Sequence, residues 1–212
     1  MIGPLSKADL VPAGRAGSER AALAPADALT VRRILKVNHA GEYGAIRIYR
    51  AQIAVAKRTC VEVVPQLEHM LEHEIEHCRV FREAMPARSA RPCRVMSLWS
   101  LGGSVLGFVT AVMGRQTIWT CTAAVEAAVH RHLDDQLHFL RDKDRELYAA
   151  ILAIREEELS HLRTAESHLR GTTLGGSALR GAISSVTDAL IWLSTWGDSS
   201  RMAKELKTGA PT

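Results

Sequence analysis

Glu42 is followed 32 positions on by Glu74 and three further by His77; Glu126 is followed 32 positions on by Glu158 and three further by His161. The two sets lie 84 positions apart. Carboxylate oxygens and imidazole nitrogens together hold divalent metals. One Glu from each of two helices, with Glu-x-x-His from each of two others, is the donor set of a two-metal site inside a four-helix bundle. The three-residue spacing within each Glu-x-x-His pair puts both side chains on one helical face.

Charge gives a second reason to expect metal. Val63, Leu67, Met70, Glu74, His77, Phe81 and Ala84 follow one another at alternating steps of four and three, as do Leu147, Ile151, Ile154, Glu158, His161, Ala165 and His168. These are core-seam positions, so Glu and His stand where Leu belongs. Glu42 shares a face with Leu35, Ile46, Tyr49 and Ile53, and Glu126 with Trp119, Thr122, Val129 and Leu133. An ionised carboxylate removed from water without a partner costs several kcal/mol. Two divalent cations would cancel the formal charge of all four. Mixed carboxylate and imidazole ligation suits iron or manganese better than structural zinc.

A competing motif overlaps the first set. His73, Glu74 and His77 match H-E-x-x-H, the zinc-protease signature in which Glu is the general base. The second copy has Glu157 where the first has His73, so the repeat explains Glu74 and His77 and leaves His73, with His69, as a surface or neighbouring residue. His130 and His132 follow Glu126 closely enough to orient a ligand, and Tyr49 is a candidate hydrogen-bonding neighbour or a core tyrosine.

The echo at offset 84 extends to Ala40 and Ala124, Arg47 and Arg131, Gln52 and Gln136, Glu72 and Glu156, and Arg79 and Arg163, which suggests a duplicated helical hairpin. The bundle needs helices over about 29–56 and 63–84, a third that continues from the apolar 95–114 stretch to about 140, and a fourth over about 144–169, the first capped by Asp27 or Thr30, with Gly171, Gly175 and Gly176 breaking the chain before a last amphipathic helix over about 178–196. The chain of 212 residues, 47% hydrophobic, 24% charged and 5% aromatic, suits one all-α domain. The expected division is a disordered tail over 1–26, the bundle over 27–197 and a polar tail over 198–212. A net charge of +4, scattered through the helices, favours an anionic membrane surface over nucleic acid. Cys60, Cys78, Cys93 and Cys121 form no C-x-x-C pair and read as reduced thiols.

Residues 95–114 carry no charge and are bounded by Arg94 and Arg115. That length could just span a bilayer. A span there would put Glu74 and His77 on the opposite side from Glu126 and tear the site apart. The stretch therefore belongs to the core or to the membrane interface. Trp99, Phe108 and Leu133, with Gly102, Gly103 and Gly107, are candidates for an apolar substrate-facing or lipid-facing surface, to which Leu190, Ile191, Trp192 and Trp196 of the last helix could add.

At this point the chain resembles the demethoxyubiquinone hydroxylase family of the ubiquinone pathway. The matching segments are Asn38 to Ala45, Glu74 to His77, Arg91-Pro92 leading to Leu98-Trp99, Cys121 to Glu126 and Glu157 to His161, within a resemblance covering about 30–196. It implies a ferritin-like four-helix bundle with an added interfacial or C-terminal helix. It implies two irons held by Glu42, Glu74, His77, Glu126, Glu158 and His161; Glu74 and Glu158, each one turn from its His, are the bridges we expect. It implies O2-dependent hydroxylation of a polyprenylated methoxy-methyl benzoquinol at an inner-membrane surface, beside other proteins of the pathway. His132 matches a family histidine; the next position is Tyr in some members and Leu133 here, so no role of that Tyr transfers. The expected location is the cytoplasmic face of a bacterial cell membrane, with the mitochondrial matrix face as alternative. The electron donor stays open between NADH acting through the quinone and a separate reductase, since no Gly-rich dinucleotide fingerprint follows a strand. Other classes are a ferroxidase or storage protein, against which the apolar 95–114 stretch argues, and a peroxide scavenger, whose usual C-x-x-C iron site is absent.

Overall fold

A computed structural model describes residues 23–169, 174–194 and 204. Among them are six α-helices and no strand: α1 (Pro25–Thr59), α2 (Val64–Ala84), α3 (Met96–Val112), α4 (Arg115–Leu140), α5 (Arg145–Ser167) and α6 (Leu174–Ser194). The all-α expectation holds. Most of the 1–26 tail and the 198–212 tail, together with Trp196 and Gly171, lie outside the described residues.

Local chemistry sets the ends. Pro25 opens α1, its fixed φ suiting the first turn, so the helix starts ahead of the expected Leu29 and Asp27 sits inside its first turn instead of capping it. Asp144 caps α5 by accepting the Leu147 N–H at 3.1 Å. Gly114, at φ 100°, breaks α3 from α4 in a backbone region that favours glycine. α6 begins at Leu174, so Gly175 and Gly176 lie in its first turn and do not break the chain.

α1 is 35 residues long, about 52 Å. It packs against α2 and, more extensively, against α3, while α4 packs against α5 and α6. α3 lies along α1 because glycines remove the side chains between them. A Cβ on Gly103 would sit 2.6 Å from the Gly44 carbonyl oxygen, and one on Gly107 2.3 Å from that of Ile48. Gly44 in turn makes the slot for the Trp99 ring, 2.5 Å from where its own Cβ would be. Trp99 is therefore buried, and so is Leu133, in one core cluster. Burial takes both out of a lipid-facing surface, whereas Phe108 is 55% exposed.

The core falls into two main parts. One joins Val31, Leu35, Phe81, Leu137, Leu147 and Ile151. The other joins Tyr49, Ile53, Leu67, Met70, Ile118 and Trp119. On each of α1, α2, α4 and α5 the acidic residue of the repeat falls between these two clusters, in the middle of the bundle.

Candidate metal centre

Glu42, Glu74, His77, Glu126, Glu158 and His161 are each 4% exposed or less. Their donor atoms form two overlapping groups, each within 4.8 Å and each able to hold a metal ion: Glu42, Glu74, His77 and Glu158, and Glu74, Glu126, Glu158 and His161. Glu74 and Glu158 belong to both. The buried seam of α2 runs through Leu67, Met70, Glu74, His77 and Phe81, and that of α5 through Leu147, Ile151, Ile154, Glu158, His161 and Ala165, as the four-and-three spacing predicts.

The contacts inside the cluster are close but poorly matched. His77 Nδ1 lies 2.9 Å from Glu158 Oε1 and 3.9 Å from Glu42 Oε2. His161 Nδ1 lies 3.4 Å from Glu74, 3.6 Å from Glu158 and 3.9 Å from Glu126. Yet both Nδ1 atoms, Glu74 Oε1 and both Glu158 oxygens have no hydrogen-bond partner. Buried polar atoms left so are costly. Cations between them would satisfy the lone pairs together, so the donor set fits a pair of metal ions.

Electrostatics tells the same story. Burial raises Glu42 and Glu74 well above the usual carboxylate range, with repulsion from Glu158 adding in both, and burial raises Glu126 likewise. Glu158 goes the other way: burial alone would raise it, but Glu126, His161 and His77 hold it below its ordinary value. Burial would lower His77, but its contact with Glu158 and the charge of Glu42 lift it to about 9. Protons here do part of what cations would do.

Around the donors stand three further contacts. Tyr49 donates its hydroxyl hydrogen to Glu126 Oε1 at 2.5 Å. His77 Nε2 is 2.9 Å from Glu157 Oε2, and His161 Nε2 is 3.0 Å from His73 Nδ1. His73 is thus the neighbour of a ligand-type histidine, which accounts for the first His of the H-E-x-x-H string. Glu157 was not singled out from sequence; its signal was its place at offset 84 from His73, four residues before a ring on its own helix. His130 pairs with Asp134 at 3.4 Å, and His132 is half-buried. Farther off, Asn38 and Gln136 exchange amide hydrogen bonds of 2.6 and 2.9 Å between α1 and α4. Arg47 donates to the Tyr43 hydroxyl and Arg131 is exposed, so the buried Arg partners that a purely structural role would require are not these.

Fold and site define an all-α bundle with a buried carboxylate–imidazole centre fit for two cations. Residues 29–194 match the family described as "Ubiquinone biosynthesis protein COQ7". Among curated relatives, the NADPH-dependent 3-demethoxyubiquinone 3-hydroxylase, mitochondrial, of Mus musculus is 38% identical over 168 residues, 77% of this chain and 76% of that protein. The 3-demethoxyubiquinol 3-hydroxylase of Rhodospirillum rubrum is 36% identical over 170 residues, 80% of each. The 5-demethoxyubiquinone hydroxylase, mitochondrial, of Saccharomyces cerevisiae is 28% identical over 185 residues, 80% of this chain and 79% of that protein. The chain belongs to the COQ7 family.

Proposed function

We propose that this chain is a di-iron monooxygenase that hydroxylates the ring of a polyprenylated methoxy-methyl benzoquinol with O2. The names of its relatives support the reaction, and one observation carries the site: two donor groups share Glu74 and Glu158. Glu42 and His77 would hold one iron, Glu126 and His161 the other, and Glu74 and Glu158 both. When bound, the irons supply the redox chemistry with O2 that ring hydroxylation needs.

The chain's own residues do the rest. Burial of all six donors keeps bulk water from the reacting centre. Glu157 and His73 fix the ring planes of His77 and His161 from behind, and Tyr49 fixes Glu126.

The substrate's hydrocarbon tail points to a membrane surface. α3, with Met113 just after it, presents Leu101, Val105, Phe108, Val109 and Val112 outward, each of the six 47% exposed or more. No helix among the described residues is long and apolar enough to cross a bilayer. We read this face as lying in the membrane interface. Some relatives are named mitochondrial, while that of Rhodospirillum rubrum is not, and either compartment would need the same surface.

The test is metal content of protein from iron-replete cells, followed by a demethoxyubiquinol hydroxylation assay with a supplied reductant. About two irons per chain and a hydroxylated product support the reading; one zinc and no iron overturns it. Glu158→Ala should lose iron and activity together.

A further inference from the structure

The two halves of the centre are not the same, although the repeat that builds them is. Positions 73 and 157 are equivalent at offset 84, and each lies four residues before the donor histidine of its own helix. Each reaches across to the histidine of the opposite helix: Glu157 of α5 to His77 of α2 at 2.9 Å, and His73 of α2 to His161 of α5 at 3.0 Å. The grip is crosswise, and its two ends differ chemically. One is a carboxylate, the other an imidazole.

That difference reaches the donor atoms. Nδ1 of each donor ring faces the carboxylates, so a cation bound there leaves the hydrogen on Nε2. His77 then donates Nε2–H to Glu157, and His161 donates Nε2–H to Nδ1 of His73, which fixes the hydrogen of His73 on its own Nε2. A carboxylate draws on the shared hydrogen and makes Nδ1 of His77 the stronger donor. A neutral imidazole does so less. The outer carboxylates differ in the same direction. Glu126 shares an oxygen with the Tyr49 hydroxyl, whereas the position equivalent to Tyr49 is Leu133, which has no hydroxyl to offer Glu42.

We propose that the two cation positions are unequal by construction, the His77–Glu42 position backed by Glu157 binding a divalent cation more tightly than the His161–Glu126 position backed by His73. This rests on the two-cation reading above. Glu74 and Glu158 are common to both positions and do not distinguish them.

The test is titration of the metal-free full chain with Co(II), followed by calorimetry and visible absorption at one pH. Repulsion between the cations also separates the two steps, so the variants decide. Glu157→Gln keeps a hydrogen-bond acceptor but removes its charge, and should weaken the tighter step about 10-fold, the lower end for such partners because Glu157 is half-exposed. The gap between the steps then narrows. His73→Gln keeps a neutral acceptor and should leave both steps near wild type, while His73→Leu should weaken the looser step and widen the gap. A Glu157→Gln protein with the wild-type gap, or equal steps in the wild type, overturns the inequality while leaving the two-cation centre standing. Fewer than two Co(II) bound by the wild type overturns both. Glu157 is at the edge of the bundle, so its variant carries the test even if a His73 variant misfolds.

Discussion

Tyr49 on α1 gives its hydroxyl hydrogen to Glu126 on α4 across 2.5 Å, with both groups buried. Burial, with the charges of Glu126 and Glu74 adding, pushes the phenol well above its ordinary value near 10, so it remains a donor at working pH. Tyr49→Phe keeps the ring and deletes the donor. In metal-free protein it leaves a buried carboxylate oxygen short of a partner, at a cost of about 1–3 kcal/mol. Urea denaturation of metal-free wild type and variant reads this directly. An unchanged midpoint would show that the bond contributes nothing.

The gathering of the six candidate donors into one buried cluster was legible because four Glu and two His occupy seam positions where apolar residues belong, a local pattern. The crosswise contacts of His73 and Glu157 were not, because they depend on how α2 faces α5, which no spacing along one helix states. The burial of Trp99 was hidden for a similar reason. Its slot is an absence on another helix, at Gly44, and complementarity between distant segments leaves no periodic trace. The apolar 95–114 stretch announced a helix, and among the described residues it is not long and apolar enough to cross a bilayer, but nothing in the stretch said that its glycines seat it on α1.

Those glycines give a prediction of sign. Gly107→Ala would put a methyl group 2.3 Å from the Ile48 carbonyl oxygen and force α3 off α1. Overpacking of this kind costs about 1–3 kcal/mol, more than the helix propensity Ala gains. Gly41 is also helical, but a Cβ there meets nothing within 4 Å. Gly41→Ala should therefore stabilise by about 0.5–1 kcal/mol. Thermal melts of the two variants should shift in opposite directions; a stabilised Gly107→Ala protein would contradict the close packing.

Arg88 clips the end of α2 to the start of α5. Its guanidinium meets the Asp144 carboxylate at 2.6 and 2.8 Å, both side chains nearly buried, and reaches exposed Glu146 at 3.2 Å. Arg88→Met takes the guanidinium away from the nearly buried Asp144 carboxylate, breaking a buried ion pair, and should cost about 3–5 kcal/mol. Glu146→Ala removes only the exposed partner and should cost less than about 1 kcal/mol. Equal losses from the two variants, measured by chemical denaturation, would refute the distinction.

The outward face of α3 is tested with lipid. Val105→Asp together with Phe108→Asp removes two side chains that are 53% and 55% exposed. Transferring each from water into the interface is worth up to about 1.5–3 kcal/mol, less here because each is already half buried, so partitioning into anionic vesicles should fall on the order of tenfold. Metal content should not change, since neither residue is among the donors. Vesicle sedimentation of the loaded protein is the measurement, and equal partitioning would remove α3 as the contact.

The metal-free protein should lose stability as pH rises from about 5 to about 9, the reverse of the usual acid-side behaviour. Glu42, Glu74 and Glu126 hold protons in the folded state well above the ordinary carboxylate value near 4.5, because burial and mutual repulsion disfavour their charge. Above that value the folded state binds more protons than the unfolded one, so raising the pH favours unfolding. His77 has the same sign. Its folded value near 9 exceeds the ordinary 6.5, so its stabilisation is complete below 6.5 and is lost as pH climbs through 9. Glu158 is depressed, and its contribution is lost only as pH falls below 4.5, outside this window. Two cations replace the protons and abolish the cause, so the loaded protein should keep its melting temperature where the metal-free protein loses it. Melting curves of both forms across this interval are decisive: a metal-free Tm that climbs with pH would mean the four carboxylates do not repel one another in the folded bundle.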